Sequence, residues 1–466
     1  MAAPLAAELG PEVAVRLPDK GYSGQLAVAP DRGPVGTPIT VSGSGLPPGH
    51  DLELLWQTVR GHWKVADGTY EGREFTPVAY RLARITTDAS GRFTVESIAP
   101  EDFGSTHDIV VQDSNRVFTK AGFSIDTTVA MTPESGPVGT PMTIEVKGIG
   151  WRHLHNSWLL LYDNAFTGWI SSITTGGSGR VTIPASGGLG PHVVEIVHGE
   201  FTFPYRNMQQ SPEPDRPQFA RQFTITDGPP VLPPEAAAQV QRKVERLPPQ
   251  GALSVEPPFG IVNAPIVVRA SAVTPGKELA LEWTTVTGNR VGRNGWDENS
   301  HVVARATANA AGVATFRFDA PDDLGGSHRL FVPYGETERA GSFWLAPSAL
   351  PLSVDHGPVG TPFEIHLKGV GWTETANIYT VVYDNSYVGY ACGFNSQGDV
   401  VIPLYATGSP GWHFIDLYPA IYKGKEERPR NFRIPQLTYA ADHPGEDLPH
   451  FRFAFRVTSG QDPAMR

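Results

Sequence analysis

The sequence predicts an all-β chain of four antiparallel sandwiches in tandem, ordered A–B–A′–B′, with a short helical linker between the halves. Three observations predict it. Glycine (50) and proline (43) are abundant in a 466-residue chain that is still 40% hydrophobic. That mixture suits many short strands joined by tight turns around sizeable cores. The chain is too long for one core and repeats itself at a fixed interval. Within each repeat, short alternating strands are bounded by Gly/Pro turns.

The repeat organises everything else. Gly136-Pro-Val-Gly-Thr-Pro141 recurs as Gly357-Pro-Val-Gly-Thr-Pro362, an offset of 221 (357 − 136). The same offset carries Lys147-Gly148 and Gly150-Trp151 onto Lys368-Gly369 and Gly371-Trp372. It also carries Tyr162-Asp163-Asn164 onto Tyr383-Asp384-Asn385, and His192 onto His413. In a second pair, Pro100-Glu-Asp102 with His107 matches Pro321-Asp-Asp323 with His328, while Trp56 matches Trp283 at 227 (283 − 56). The change from 227 to 221 places about six extra residues of the first unit between Gly61 and Arg84.

Each unit opens alike. Leu26–Pro30, the turn Gly33–Pro38 and then Ile39–Gly45 read as strand, turn, strand, with Pro and Gly setting φ where the chain reverses. Thr86–Gly91 and Thr174–Gly179 read as Gly-bearing hairpin turns before alternating strands such as Arg92–Glu96. Units of about 100 residues built this way argue sandwiches rather than barrels. Pro233–Pro249, Ala-rich and charged in its middle and bounded by prolines, predicts a helix over 234–246.

The opening pattern, Gly-Pro-Val-Gly-Thr-Pro followed by an alternating strand and a Gly-x-Gly turn, resembles the signature of IPT/TIG-type immunoglobulin-like domains of bacterial surface and secreted proteins. It covers the first 20 or so residues of units one, two and four. Unit three departs from it with Phe259-Gly-Ile-Val-Asn-Ala-Pro265. The resemblance implies tandem immunoglobulin-like sandwiches at 24–126 (A), 127–228 (B), 251–346 (A′) and 347–458 (B′), with 229–250 as linker. It also implies extracellular binding or adhesion, and it transfers no catalytic residue.

Bulk properties narrow the function. The formal charge is −11 and no basic run is present, so nucleic acid is not an expected partner. No apolar stretch approaches the roughly 20 residues of a membrane helix. The single Cys392 rules out an internal disulfide or a cysteine-based metal cluster and reads as a small buried hydrophobe within a strand. The start, Met1-Ala-Ala-Pro-Leu, carries no signal-peptide pattern. The expectation is an extracellular or cell-surface chain whose export signal has been replaced by Met1.

Candidate site residues fall in unit B. Asp163 and Asn164 suit a hairpin turn, because both residue types accept left-handed geometry. Beside Trp169 they also suit a loop that holds a sugar or cation. The repeated histidines, His107, His328, His192 and His413, read as core-edge residues bonding turn carbonyls. His192 and Glu195, three apart on a strand, face opposite sides. The segment 198–217 is long and polar. Its His198 and Glu200, two apart, share a strand face, with Tyr205 and Arg206 close behind. A zinc centre needs three or four ligands, and only His153 and His155 form another such pair nearby. Unit B′ has Pro419 in place of His198 and lacks the acid, so a site would belong to B alone.

No nucleophile elbow, phosphate loop or dinucleotide fingerprint is present. The expected function is binding of a polymer, a glycan or a protein partner on a cell surface, without cofactor or metal. The alternative is a secreted hydrolase-like enzyme centred on His198 and Glu200. Trp56, Trp283, Trp151 and Trp372 are expected in or at the edge of the cores.

Overall fold

The computed structural model describes residues 8–16, 21–66, 68–152, 155–156, 158–200, 203–210, 217–239, 253–288, 296–422 and 433–461. Each domain is two sheets face to face. In domain A the smaller sheet is Gln25–Ala29, Pro38–Ser44 and Phe93–Ile98. The larger runs Thr69–Thr86, Asp51–Ala66, Ser105–Gln112, Val117–Ile125 and Arg32–Gly33, with Glu12–Val13 added at its outer edge. Domains B, A′ and B′ repeat the order of strands. The main ladders are antiparallel. In every domain, one short strand after the first turn crosses to the larger sheet and runs parallel to the last strand, as Arg32–Gly33 does beside Ser124–Ile125. A three-stranded sheet facing a larger sheet that also takes this crossing segment is an immunoglobulin-like topology.

The repeated turn explains why the strand crosses there. Gly36 has φ +85°, its N–H donates to Ala99 O (2.9 Å), and Thr37 Oγ1 closes the turn on Pro34 O (2.6 Å). Domains B and B′ make the same bonds through Gly139 and Thr140, and through Gly360 and Thr361. Unit three, whose sequence departs, keeps the turn. Asn263 takes φ +65° and donates to Ala320 O (2.9 Å). Asparagine tolerates the left-handed region that glycine occupies elsewhere.

The cores of A and A′ share one device. Trp56 and Trp283 are fully buried, and their indole N–H groups donate to Asp102 (2.7 Å) and Asp323 (2.9 Å). His107 and His328 stack on those indoles at 4.5 and 4.3 Å, and their ring nitrogens meet main-chain carbonyls. Burial raises the Asp102 carboxyl above its ordinary value, with His107 and its hydrogen-bond donors pulling the other way. The histidines bond main-chain carbonyls as the sequence suggested, and together with the acid, which the sequence left without a role, they form a core brace.

The A–B and A′–B′ junctions are also copies. Gly104 bridges Gly150, and Gly325 bridges Gly371. A Cβ at Gly104 or Gly325 would fall 1.9 Å from the carbonyl oxygen of Gly148 or Gly369, so the two domains meet main chain to main chain. Lys147 reaches across to Glu101 and Lys368 to Asp322.

The halves do not hang apart on a free linker. Of the expected helix, Ala236–Gln239 forms one 3-10 turn; residues 240–250 lie outside the described set. Ala236 is buried in the B′ core, and the Gln239 side chain exchanges two hydrogen bonds with the main chain of Arg452. Docking on B′, rather than helical propensity, holds this described turn.

Candidate functional site

The Tyr-Asp-Asn repeat is a hairpin lock. Asp163 and Asn164 both have positive φ (48° and 68°), as do Asp384 and Asn385 (46° and 61°). Two consecutive left-handed residues give the hairpin its twist, which is why Asp-Asn stands there twice. The aspartate then pins the turn to the neighbouring strand. Asp163 accepts from Val193 N–H (2.9 Å) and meets His192 Nδ1 (2.6 Å), while the other His192 nitrogen meets Gly188 O (2.8 Å). In B′, Asp384 accepts from Phe414 N–H (3.0 Å) and meets His413 Nδ1 (2.5 Å). The tyrosines stack on these histidines and bond Ser186 O and Thr407 O. His192 and His413 thus bond turn carbonyls, and the aspartate contact is an addition that strand spacing did not reveal.

The seven candidate residues of domain B do not gather in one place. Asp163 and Asn164 sit at the His192 end of strand Gly190–Glu200, whereas His198 lies toward its other end. His198 is 4% exposed and meets Trp158 edge-on inside the sandwich. Trp169 is 3% exposed and lies on the opposite, outer face of the same sheet with Leu159, Leu161, Val197 and Ile434. It is a buried interface residue rather than a loop residue open to a ligand, because domain B′ covers that face. The Glu200 side chain lies outside the described set. Tyr205 is held weakly by Gln210 (3.3 Å), and Arg206 folds back to Glu195 (3.2 Å). His155 meets Ser105 (2.6 Å), and His153 lies outside the described residues. Cys392 ends strand Ser386–Cys392 and is half-buried, because that strand is an edge.

What the structure does bring together is the junction of three domains. The segment after strand Gly411–Ala420 of B′ crosses to domain B and runs beside its edge strand Ala165–Ile170. There Trp169 N–H donates to Pro435 O (2.7 Å) and Leu437 N–H to Trp169 O (2.8 Å). Asp442, fully buried, accepts the N–H groups of Ile173 (2.8 Å) and Thr174 (2.7 Å). Trp63, from the long hairpin of domain A, donates to Asp442 O (3.1 Å) and meets Trp169 edge-on at 6.0 Å. The tip of that hairpin reaches B′, where Glu374 N–H donates to Gly68 O (2.8 Å) and its carboxylate accepts from Tyr70 N–H (2.8 Å). The six additional residues of the first unit therefore extend the hairpin that ties A to B′.

Beside this junction an aromatic surface comes out to solvent. Phe203 packs on Phe166 (5.6 Å), and Phe166 on Tyr387 (6.2 Å). Tyr387 OH donates to Arg433 O (2.5 Å), and burial pushes its phenol up to about 12. The Arg433 guanidinium lies 5.2 Å from the Tyr390 ring and 4.3 Å from the Tyr422 ring, and it donates to Tyr390 OH (2.8 Å). Phe203 is 46% exposed and Tyr390 42%. Rings flanked by a guanidinium are suited to stacking and to directed hydrogen bonds, the chemistry of a binding surface. Arg433 was not singled out in the sequence, and Tyr390, the repeat of Trp169, was read only as an aromatic residue beside the Asp-Asn turn.

Among the described residues, no group of three or more His, Cys, Asp or Glu side chains is placed to hold a metal, and no helix is long and apolar enough to cross a membrane. No protein-family model matches the chain, and no curated protein matches it. Solved structures that align with it are the D1–D4 ectodomain fragment of ICAM-5 (10% identity, 93% of this chain and 99% of that one, TM-score 0.18) and the BSP domain of a biofilm associated protein (11%, 97% and 100%, TM-score 0.16). A third is the Yersinia pseudotuberculosis adhesin InvE (14%, 44% and 59%, TM-score 0.19). At such scores the likenesses say nothing of partner or activity. By its own topology, the chain is a tandem immunoglobulin-like domain protein.

Proposed function

We propose that this chain is an extracellular or cell-surface binding protein. In this reading its four sandwiches are IPT/TIG-type modules of a bacterial surface or secreted protein, and they form a frame that presents one recognition surface to a polymer, glycan or protein partner. The observation that carries it is the contiguous aromatic and arginine run over the B–B′ junction, exposed at Phe203 and Tyr390 and half-buried between them at Phe166, Tyr387 and Arg433. Isolated exposed rings are ordinary on any surface, whereas a contiguous set around a guanidinium is not. Tyr205 and Arg206 follow Phe203 in the chain and border this surface in our reading.

The test is an array of glycans, intact cell-wall polymers and surface proteins probed with the purified chain. For the partner found, Phe203→Ala with Tyr390→Ala should weaken binding at least tenfold while leaving the melting temperature unchanged. A partner bound equally well by the double variant would overturn the assignment of the surface.

A further inference from the structure

The two C-terminal domains of each half carry the same edge strand, and only one of the two is covered. In domain B the edge is Ala165–Ile170; in B′ it is Ser386–Cys392. They share an offset, a bulge against the preceding strand (Leu160/Leu161 and Val381/Val382) and a central glycine, Gly168 and Gly389. Neither contains a charge or a proline. Sheet edges that face water are normally guarded by lysine, proline or distortion, since an open edge recruits other strands. These two edges carry neither charge nor proline, and the bulge they share does not keep the edge of domain B from being covered.

In domain B that cover is present. Residues 435–437 run parallel to the edge and bond Trp169 on both its N–H and its C=O. A Cβ at Gly168 would lie 2.7 Å from Pro435 O, so glycine there admits the incoming strand. At Gly389 no atom lies within 4 Å of the corresponding position. One side of Ser386–Cys392 is laddered to Ile378–Tyr383, and among the described residues no main-chain group pairs with the other side of residues 386–391. Val388 and Tyr390 stand exposed along it. The edge is continuous with the B–B′ interface, since its first residues, with Asn385 just before them, lie against domain B. At its far end Arg433 stacks on Tyr390 with no carboxylate partner among the described residues.

We propose that residues 386–391 of this edge are a strand-addition site. It takes an extended segment of a partner polypeptide, uncharged along the edge and carrying a carboxylate that meets Arg433. This rests on the reading of the B–B′ surface as a binding surface and specifies its partner as a protein. Main-chain hydrogen bonds would supply the affinity, and Val388, Tyr390 and Arg433 the selectivity. A peptide is favoured over a saccharide because the uncovered groups are main-chain donors and acceptors at strand spacing, and at the twin edge those of Trp169 are met by the main chain of residues 435–437.

The probe is a synthetic peptide of the chain's own residues 433–442, which contains the segment seated on the twin edge and ends in a carboxylate. With the full chain, it should slow hydrogen exchange of amides in 387–391 at least tenfold. A control with proline at alternate positions should leave them unchanged. Arg433→Glu should weaken the peptide's binding at least tenfold, with exchange elsewhere native-like. Unchanged exchange of 387–391 at saturating peptide would overturn strand addition. Protection of those amides by raising the chain's own concentration, without peptide, would make a second copy the occupant and overturn it too. If a glycan bound at Tyr390 without protecting the amides, strand addition would fail while the binding surface stood.

Discussion

Asn164 and Asn385 occupy the same place in the same turn, yet they live in different surroundings. Asn164 faces solvent, whereas Asn385 is fully buried against domain B. There the Asn385 side chain donates to Pro184 O (2.8 Å), and the Asn385 main-chain carbonyl accepts from Thr167 Oγ1 (2.5 Å). The lock beneath each turn is conserved in every bond, from the tyrosine stack to the aspartate clamp. The repeat thus preserves what makes each module fold, and the copies diverge in what they touch. Duplicated modules that fold alike can specialise through their outward-facing positions at little cost to stability.

The largest expected effect tests the part in which the halves agree. Trp56→Ala and Trp283→Ala should each destabilise their own domain by roughly 3–5 kcal/mol, through an unfilled cavity. Domain-resolved hydrogen exchange should show matched losses in A and A′. A loss in one half only would mean that the two braces are not equivalent despite their shared geometry.

Next comes a bond with no counterpart in the repeat. Asp442→Ala strands the buried amide of Ile173, at about 1–3 kcal/mol if water does not reach it, and also loses the bond to the amide of the exposed Thr174. Exchange at residues 171–174 should accelerate and the scattering radius should grow, with the separate sandwiches intact. Unchanged dimensions would show that the junction holds without this carboxylate.

The turns themselves should part company under one substitution. Glycine accepts the left-handed φ, so Asn164→Gly should change stability by less than about 0.5 kcal/mol. Asn385→Gly keeps the turn but loses the buried side-chain bond to Pro184, and should cost on the order of 1–2 kcal/mol. Equal effects, read by denaturant unfolding of both variants, would mean that the interface contributes nothing at this position.

The smallest effect concerns pH. Burial opposes the charged form of His413, but the Asp384 hydrogen bond and charge, with the Ser409 carbonyl, outweigh it and raise its pKa above 6.5. A raised histidine pKa contributes stability that is full below the unfolded value and fades as pH rises through the folded one. Domain B′ should therefore lose a small increment of stability above about pH 6.5, and His413→Gln should abolish that dependence. An NMR titration placing His413 at or below 6.5 would remove the basis for it.

Much of the fold was readable because its signals are local. The Gly-Pro-Val-Gly-Thr-Pro turn, the Asp-Asn hairpin and the alternating strands each act within a few residues, and the offset multiplied them. The change from 227 to 221 correctly located extra chain in the first unit, but not that Gly68 at its tip would meet Glu374. The candidate site was read less well. His198 and Glu200 share a strand parity, yet parity does not say which face is the core, and Trp169 points the other way. Asp442 drew no notice because it gains its role from Ile173 and Thr174, hundreds of positions away, and Arg433 because the rings of Tyr390 and Tyr422 become its neighbours only in the fold.

The sequence by itself determined the modules: their number, their all-β class, their order and the tryptophan cores of A and A′. Those follow from side-chain periodicity and backbone φ preferences, which operate over short spans and recur wherever the pattern recurs. Only the tertiary structure decided that B packs on B′, that the hairpin of A closes over them, and that of two near-identical edge strands one is covered while residues 386–391 of the other pair on that side with no main chain among the described residues. Docking depends on complementarity between surfaces distant in the chain, where a few buried hydrogen bonds and rings decide the outcome, and no periodicity along one strand records what will lie against it.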